Sequence, residues 1–125
     1  MPGCTIKDVE KHIRDSVKNK DIEVEFLVGK ESSQVSPTDR RAFETIRELA
    51  EASNEKNLVT PFLVMGGTDA YNYEPGCENI YRFAPFVADT KLLLCTHGRN
   101  ERLPIACAED AIAFFKRYTR RMTQD

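Results

Sequence analysis

Two short polar segments follow apolar runs in this sequence and carry residue types that bind ligands. The first is Gly-Gly-Thr-Asp at residues 66–69. Paired glycines let the backbone turn sharply and approach a ligand closely, and a threonine hydroxyl can hydrogen-bond an oxyanion or a carboxylate. Gly67, Thr68 and Asp69 are therefore candidate ligand-binding residues. The alternative interpretation is a plain turn in which Asp69 caps the next element.

The second segment begins at His97, directly after the apolar run Leu92–Cys95. A histidine in this position can offer one ring nitrogen to a metal while a carboxylate or carbonyl holds the other. His97 is therefore a candidate metal ligand, and a solvent-facing or structural histidine is the alternative. Cys95 and His97 also allow a nucleophile and base pair, although no third orienting group is evident.

The sequence offers few donors for a complete metal centre. Catalytic zinc sites use about three protein ligands and a water, and this chain has no His-x-Asp, no His-x-x-x-His and no Glu-Glu pair. His97 is the only strong ligand candidate. If it binds a metal, the other ligands must come from residues outside this sequence, so we assign no catalytic residue.

Composition limits the classes of function. The 125 residues suffice for one compact domain, and 41% of them are hydrophobic. The net charge of −2 gives no basic footprint for nucleic acid. The apolar runs fall far short of the roughly 18 residues that span a bilayer, and no signal peptide is recognisable. We therefore expect no nucleic-acid or membrane partner, and a cytoplasmic location in which all four cysteines are free, small buried hydrophobes.

Hydrophobic spacing predicts three helices. Ile6, Val9, Ile13 and Val17 recur at helical spacing, and Thr5 with Asp8 forms a capping-box variant at the start. Ser-Pro-Thr-Asp at 36–39 is a start signal for a second helix that runs to about residue 54. The third is predicted over 108–121. Its predicted inward residues are Ala111, Ile112, Phe115, Tyr118 and Met122.

The sequence patterns of four segments predict strands. Residues 22–26 alternate apolar and acidic side chains, which is typical of a half-exposed strand. Residues 61–65 and 92–95 are continuous apolar runs that predict buried strands, and residues 80–83 are a further candidate. The polar stretch 29–34 is the one linker. Together, the three helices and four strands predict an α/β fold with helices packed on a mixed sheet. We expect residues 1–30 to belong to a different structural unit from residues 31–125.

Four motifs in order resemble one enzyme family. They are Val-Ser-Pro-Thr-Asp at 35–39, Gly-Gly-Thr-Asp-Ala at 66–70, Ile-Tyr-Arg-Phe-Ala-Pro at 80–85 and His-Gly-Arg-Asn-Glu-Arg at 97–102. Together they resemble the C-terminal part of the zinc-dependent exopeptidases, which include aminoacylase, carboxypeptidase G, succinyl-diaminopimelate desuccinylase and the Gly-Xaa carboxypeptidases. Residues 1–30 resemble the final helix and strand of that family's lid, or dimerisation, domain.

The resemblance implies roles for particular residues. It implies that His97 ligates zinc, that Gly67, Thr68 and Asp69 line the pocket for the substrate's free carboxylate, and that Asn100 and Glu101 support the histidine. It also implies a partial catalytic-domain sheet over 31–125, preceded by an αβ remnant of the lid. The family's reaction is attack of metal-activated water on an amide carbonyl.

This chain departs from the family pattern at two points. Relatives commonly carry a basic residue directly after Thr-Asp-Ala, and Tyr71 stands there in this chain. The part of the family that holds the other metal ligands and the general base has no counterpart in the sequence. The resemblance therefore predicts a piece of a longer enzyme that is inactive alone and binds zinc weakly or not at all.

Three functional hypotheses follow. The preferred one is a piece of a hydrolase whose parent cleaves an amide or peptide bond next to a free carboxylate, in a small peptide or an N-acyl amino acid. The alternative is a non-enzymatic binding or assembly module that reuses this fold, and the third is a Cys95-dependent enzyme. Because such a piece would expose apolar surface, we expect it to form homo-oligomers or to need its missing N-terminal part.

Overall fold

The computed structural model describes residues 2–64 and 66–124. It contains the helices α1 (Ile6–Val17), α2 (Arg41–Ser53), α3 (Thr90–Leu93) and α4 (Ile105–Thr123), with a 3₁₀ helix at Asp69–Tyr73. The chain divides into two compact units. The first comprises the residues up to Ser36 and Val64–Ile80, and the second comprises Pro37–Leu63 and the residues from Tyr81 onward. The predicted boundary between residues 30 and 31 stays a prediction.

Helix α1, in the first unit, begins at the predicted capping box. The Thr5 hydroxyl accepts a hydrogen bond from the Asp8 N–H at 3.2 Å, and the Asp8 carboxylate accepts one from the Thr5 N–H at 2.8 Å. Two of the backbone N–H groups that a helix start leaves without partners are thereby satisfied. Glu31 provides a third contact, because its carboxylate accepts from the Ile6 N–H at 3.1 Å. The predicted linker is thus tied to the start of α1.

Helix α2 starts four residues later than the Ser-Pro-Thr-Asp signal predicts. Ser36 does not cap this helix, because its hydroxyl accepts from the Ile80 N–H at 2.8 Å and donates to the Ile80 carbonyl at 3.0 Å. The helix begins instead at Arg41 and ends at Ser53, close to the predicted end. Because the Ser36 hydroxyl is bound to Ile80, it is not available to cap the start of α2.

The core of the second unit lies between α2 and α4. The two helices pack against each other, and the described residues bury four apolar side chains and one polar one. These are Leu49, Cys107, Ala111, Phe114 and Thr45. The Phe114 ring packs against the Phe83 ring in a tilted arrangement, with ring centroids 5.0 Å apart.

The predicted inward face of α4 is partly wrong. Ala111 is buried, and Tyr118 and Met122 are half-buried, as predicted. Ile112 and Phe115 are 55% and 48% exposed, so the expectation for these two fails. Residues 111, 114 and 118 and residues 112, 115 and 119 each form a stripe at helical spacing. Contact with α2 selects the first stripe, and sequence spacing does not distinguish between them.

The predicted α/β fold is wrong for the residues that the structure describes, because none of them forms a strand. The segments 22–26, 61–64 and 80–83 run without regular structure. Phe62 is 84% exposed, so the run that contains it is not buried on two faces, and Met65 of that run lies outside the described residues. Alternation predicts an extended backbone, but a strand also needs a neighbour to accept and donate its hydrogen bonds. The expected catalytic-domain sheet and the strand of the lid remnant are therefore not present among residues 2–64 and 66–124. The assignment of residues 1–30 to a lid domain stays a prediction.

The apolar run at residues 92–95 belongs to a helical turn. Asp89 caps it, since its carboxylate accepts a hydrogen bond from the Leu92 N–H at 2.8 Å. Helix α3 then covers Thr90–Leu93, and Leu93 and Leu94 are exposed. A short apolar run fits a strand and a helical turn equally well, and the Asp89 cap favours the helix.

The hydrogen bonds of the capping box make α1 sensitive to acid. The Thr5 backbone N–H and then the Thr5 hydroxyl lower the pKa of Asp8 from its ordinary value. Because the carboxyl pKa is lower in the folded chain, the charged form stabilises α1 above the unfolded pKa of about 3.9, and this stabilisation is lost as the pH falls through the folded pKa. We expect carbon NMR of the Asp8 carboxyl to detect the lowered pKa. Thr5→Val should raise it part of the way back, whereas Ser16→Ala, which removes a hydroxyl elsewhere on α1, should not change it.

Leu49 tests the core. It is 6% exposed, and Leu49→Ala leaves a cavity between α2 and α4, so we expect a loss of about 2–5 kcal/mol in the free energy of unfolding. Leu58→Ala is the matched control, because Leu58 is 94% exposed and its truncation should change stability by less than about 0.5 kcal/mol. Urea unfolding followed by circular dichroism measures both, and equal effects of the two substitutions would refute this core.

Candidate functional site

The predicted metal ligand His97 lies in a turn of the second unit that follows α3. Its φ angle is 61°, in the left-handed region. The Glu101 carboxylate accepts a hydrogen bond from the His97 backbone N–H at 3.1 Å, and the Gly98 N–H donates to the Cys95 carbonyl at 2.8 Å. The imidazole is exposed. These contacts hold the main chain of His97 and leave its side chain at the surface.

The backbone of His97 is strained relative to most non-glycine residues. Left-handed φ values cost a residue with a Cβ free energy and occur most often at turns and functional sites. The two hydrogen bonds that close this turn maintain the conformation. Glu101 therefore positions the residue through its backbone N–H, while the side chain of Arg102 donates to the Asn100 carbonyl at 2.9 Å.

The second predicted segment, residues 66–69, lies in the first unit. Thr68 caps the 3₁₀ helix, and its hydroxyl accepts from the Ala70 N–H at 3.4 Å. Gly67, Thr68 and Asp69 are exposed, and a Cβ added at Gly67 would meet no atom within 4 Å. Open space therefore adjoins this loop. Thr68 caps the short helix and Asp69 is its first residue, so the capping role that the turn interpretation gives Asp69 is wrong.

Lys30 brings a positive charge to this loop. Its ammonium lies over the Tyr71 ring, 3.4 Å from the ring centroid. A lysine over an aromatic face is attracted by the ring quadrupole, which is worth about 0.5–1 kcal/mol at an exposed site. Tyr71 stands where the resemblance leads us to expect a basic side chain. The Lys30 ammonium therefore brings a positive charge close to that position, although the residue at the position itself is not basic.

Sequence reasoning missed Lys30. It lies in the polar stretch at residues 29–34, which has no periodicity, and forty-one positions separate it from Tyr71. No local pattern signals such a contact. Only the folding of the first unit, in which Glu31 is bound to the start of α1, brings the two residues together.

The donor set for zinc is incomplete. Among residues 2–64 and 66–124, no three His, Cys, Asp or Glu side chains are grouped closely enough to hold a metal ion. His97 is in the second unit and the loop at residues 66–69 is in the first. The described residues therefore do not fit a catalytic zinc centre, which needs about three protein ligands, and we derive no hydrolytic step through a metal.

The four cysteines are all free thiols, as predicted. Cys107 is buried and Cys95 is half-buried, but Cys4 and Cys77 are exposed, so the expectation that all four are buried is wrong for these two. The Cys107 thiol donates to the Val87 carbonyl at 3.4 Å. Cys95 lies in the turn before His97 and not on a strand. Within the described part of the chain, no helix has the length and apolar character that crossing a bilayer requires.

Three curated relatives resemble most of this chain. It is 28% identical over 116 residues to the N-fatty-acyl-amino acid synthase/hydrolase PM20D1 of Bos taurus, covering 90% of this chain and 23% of the relative. It is 25% identical over 116 residues to the probable carboxypeptidase S-like 2 of Dictyostelium discoideum, covering 92% and 22%. It is 31% identical over 105 residues to carboxypeptidase S of Saccharomyces cerevisiae, covering 78% and 18%.

The chain is a relative of the aminoacylase and carboxypeptidase enzymes. The resemblance inferred from the four motifs is confirmed, and the relationship is to peptide and amide hydrolases. The chain spans less than a quarter of the length of these relatives. No family model matches it, and no solved structure matches it. The likeness to these hydrolases therefore rests on the sequence relatives alone.

The substitution His97→Gly tests whether the imidazole of His97 contributes to the stability of the folded chain. A left-handed backbone costs a non-glycine residue about 1–2 kcal/mol, and His97→Gly removes this cost. Glycine also increases the entropy of the unfolded chain, which lowers stability by about 0.5–1 kcal/mol. We expect the variant to be as stable as the parent or up to about 1 kcal/mol more stable. His97→Val should be less stable by about 1 kcal/mol or more, because a β-branched side chain tolerates this region poorly. Urea unfolding measures both, and a loss of stability in His97→Gly would mean that the imidazole stabilises the turn.

Proposed function

We propose that this chain is part of a hydrolase that cleaves an amide or peptide bond next to a free carboxylate. The names of the relatives support this substrate class, since an N-fatty-acyl-amino acid and the substrate of a carboxypeptidase both present an amino-acid carboxylate. In this proposal the chain contributes to binding that carboxylate and supplies one metal ligand. The substrate is a small peptide or an N-acyl amino acid.

The position of Lys30 carries the proposal. An ammonium has three N–H donors, and the Tyr71 ring contacts it from one side. The remaining donors are available to a carboxylate in the open space beside the loop. We propose that Lys30 supplies the charge that the family places directly after Thr-Asp-Ala, and that Gly67, Thr68 and Asp69, which shortly precede Tyr71 in the sequence, bind the same carboxylate.

The cation–π contact also orders the lysine. A free lysine side chain loses up to about 2 kcal/mol of rotamer entropy when it is immobilised on a ligand. Because Lys30 already rests on Tyr71, part of this cost is met before a carboxylate arrives. Tyr71 therefore acts as the residue that positions Lys30, and removing its ring should weaken carboxylate binding without removing a charge.

His97 is the proposed metal ligand, with Asn100 and Glu101 supporting its turn. Any other zinc ligands would come from residues other than those described here, and a bound zinc ion would supply an activated water. We propose that the 125-residue chain by itself binds zinc weakly and has no measurable hydrolase activity. We propose a cytoplasmic location, which the spacing of the four cysteines in the sequence favours.

Carboxylate recognition is tested by titrating the isotopically labelled chain with N-acetyl-leucine and, as matched control, its C-terminal amide. We expect NMR shift changes at Lys30, Thr68 and Tyr71, and binding of the amide at least about tenfold weaker, because a charge-assisted hydrogen bond contributes roughly 1.5–3 kcal/mol. Lys30→Gln should remove the preference for the acid, whereas Lys20→Gln, which changes an exposed lysine of the same unit, should keep it. Equal binding of acid and amide would refute the proposed pocket.

Zinc binding is measured on the same chain by calorimetry. His97→Ala should abolish the weak binding that we expect, and His12→Ala serves as the control, because His12 is the other histidine of the sequence. Zinc-dependent turnover of N-acyl amino acids by the unaccompanied chain would contradict the proposal that one strong ligand is insufficient.

A non-enzymatic assembly module is the second candidate. The exposed apolar side chains of α4, among them Ile112 and Phe115, favour it. Such a module would self-associate and would show no preference for the acid over the amide in the titration above.

A further inference from the structure

Lys30 lies between two residues that the first unit holds in place. On one side, a Cβ added at Gly29 would lie 2.9 Å from Cε2 of the Phe26 ring, a distance that real Cβ atoms do not adopt, so the glycine permits this close approach. On the other side, the two carboxylate oxygens of Glu31 accept from the Ile6 N–H at 3.1 Å and 3.3 Å. The main chain at Lys30 is therefore restrained from both sides.

The Ile6 N–H that holds Glu31 belongs to the first residue of α1. The first N–H groups of a helix have no partner within it, and they form the positive end of the helix dipole. A carboxylate at this position is therefore favoured by a hydrogen bond and by charge together. Thr5 and Asp8 satisfy each other's N–H groups in the capping box, which leaves the Ile6 N–H for Glu31.

Glu31 is also the carboxylate next to Lys30 in the sequence. A neighbouring carboxylate attracts an ammonium, and it can therefore compete with a substrate carboxylate for the lysine. The contact with α1 directs the Glu31 carboxylate to a backbone donor, and the positive end of the helix dipole offsets its charge. One contact thus restrains the main chain of Lys30 and occupies its neighbouring competitor.

We propose that the start of α1 positions Lys30 through Glu31, so that the first turn of α1 and the carboxylate pocket are coupled. The inference rests on the proposed function, in which Lys30 binds the carboxylate of the substrate. Glu31 is a positioning residue, because it acts on the substrate only through Lys30. Coupling is reciprocal, so a carboxylate bound at Lys30 stabilises the contact between Glu31 and Ile6 in turn. All of these residues belong to the first compact unit.

Ile6→Pro removes this contact and keeps Glu31. Proline lacks the N–H that holds the carboxylate, and the first position of a helix accepts proline because the missing N–H has no partner within the helix. Thr5 is already extended, with a ψ of 164°, as the residue before a proline must be. Ile6→Ala is the matched control, because it removes the same side chain and keeps the N–H. Circular dichroism of the full 125-residue chain checks that α1 forms in both variants.

The first measurement needs no ligand. The Lys30 ammonium lies 3.4 Å from the centroid of the Tyr71 ring, so the ring current shifts the NMR signals of the Lys30 Cε protons to lower frequency. We expect this shift in the unmodified chain and in Ile6→Ala, and its loss in Ile6→Pro and Glu31→Ala. Glu31→Gln should keep part of it, because the amide oxygen still accepts from the Ile6 N–H. A full shift in Ile6→Pro overturns the proposal.

The second measurement is the binding of N-acetyl-leucine and of its C-terminal amide to the same variants. We expect Ile6→Pro and Glu31→Ala to bind the acid about fivefold more weakly than the unmodified chain, or worse, which is the lower end of the usual range for coupled sites. Binding of the amide should not change. If Glu31 were only a competitor for Lys30, Glu31→Ala would bind the acid more tightly, and that result also overturns the proposal.

The two measurements separate this inference from the proposed function. If the unmodified chain prefers the acid and both variants bind it equally well, the coupling is refuted and the proposed function stands. If the unmodified chain binds acid and amide alike, the proposed function is refuted, and the ring-current shift alone then decides whether Glu31 positions Lys30.

Discussion

The second compact unit depends on the packing of α2 against α4. Its buried apolar side chains are few among the described residues: Leu49 on α2, and Cys107, Ala111 and Phe114 on α4. With so little apolar surface buried, each of these side chains carries a large share of the hydrophobic stabilisation. Polar contacts near the C-terminal end of α4 also join the two helices. Arg121 pairs with Glu48, and Arg41 donates to the Arg121 and Gln124 carbonyls at the end of α4.

Those polar contacts orient the helices more than they stabilise them. The Arg121 and Glu48 side chains are about half exposed, and exposed ion pairs contribute about 0–1 kcal/mol. The guanidinium of Arg41 has a more specific role, because the last carbonyls of a helix lack partners within it. Apolar packing thus provides the driving force and the arginines select one arrangement.

The two candidate sites are built by local caps and not by a sheet. In the second unit, Asp89 starts α3, and the turn after α3 places His97 in a left-handed conformation that Glu101 holds through the backbone. In the first unit, Thr68 starts the 3₁₀ helix that carries Tyr71 beneath Lys30. Both arrangements leave polar side chains at the surface, where a substrate or another polypeptide can reach them.

Periodicity and capping residues in the sequence are enough to identify α1, the end of α2 and most of α4, because a helix satisfies its own backbone and depends on side chains only three or four positions apart. The prediction of strands is wrong for the opposite reason, because a strand depends on a neighbouring strand for its backbone hydrogen bonds. Residues 22–26 and 61–64 have strand-like patterns, yet a pattern does not supply the neighbour that a strand needs. Two contacts, Ser36 with Ile80 and Lys30 with Tyr71, join residues more than forty positions apart in the chain. The buried face of α4 is a choice between two stripes that the sequence spacing makes equivalent. Such pairings come from packing in three dimensions, and local sequence spacing carries no record of them.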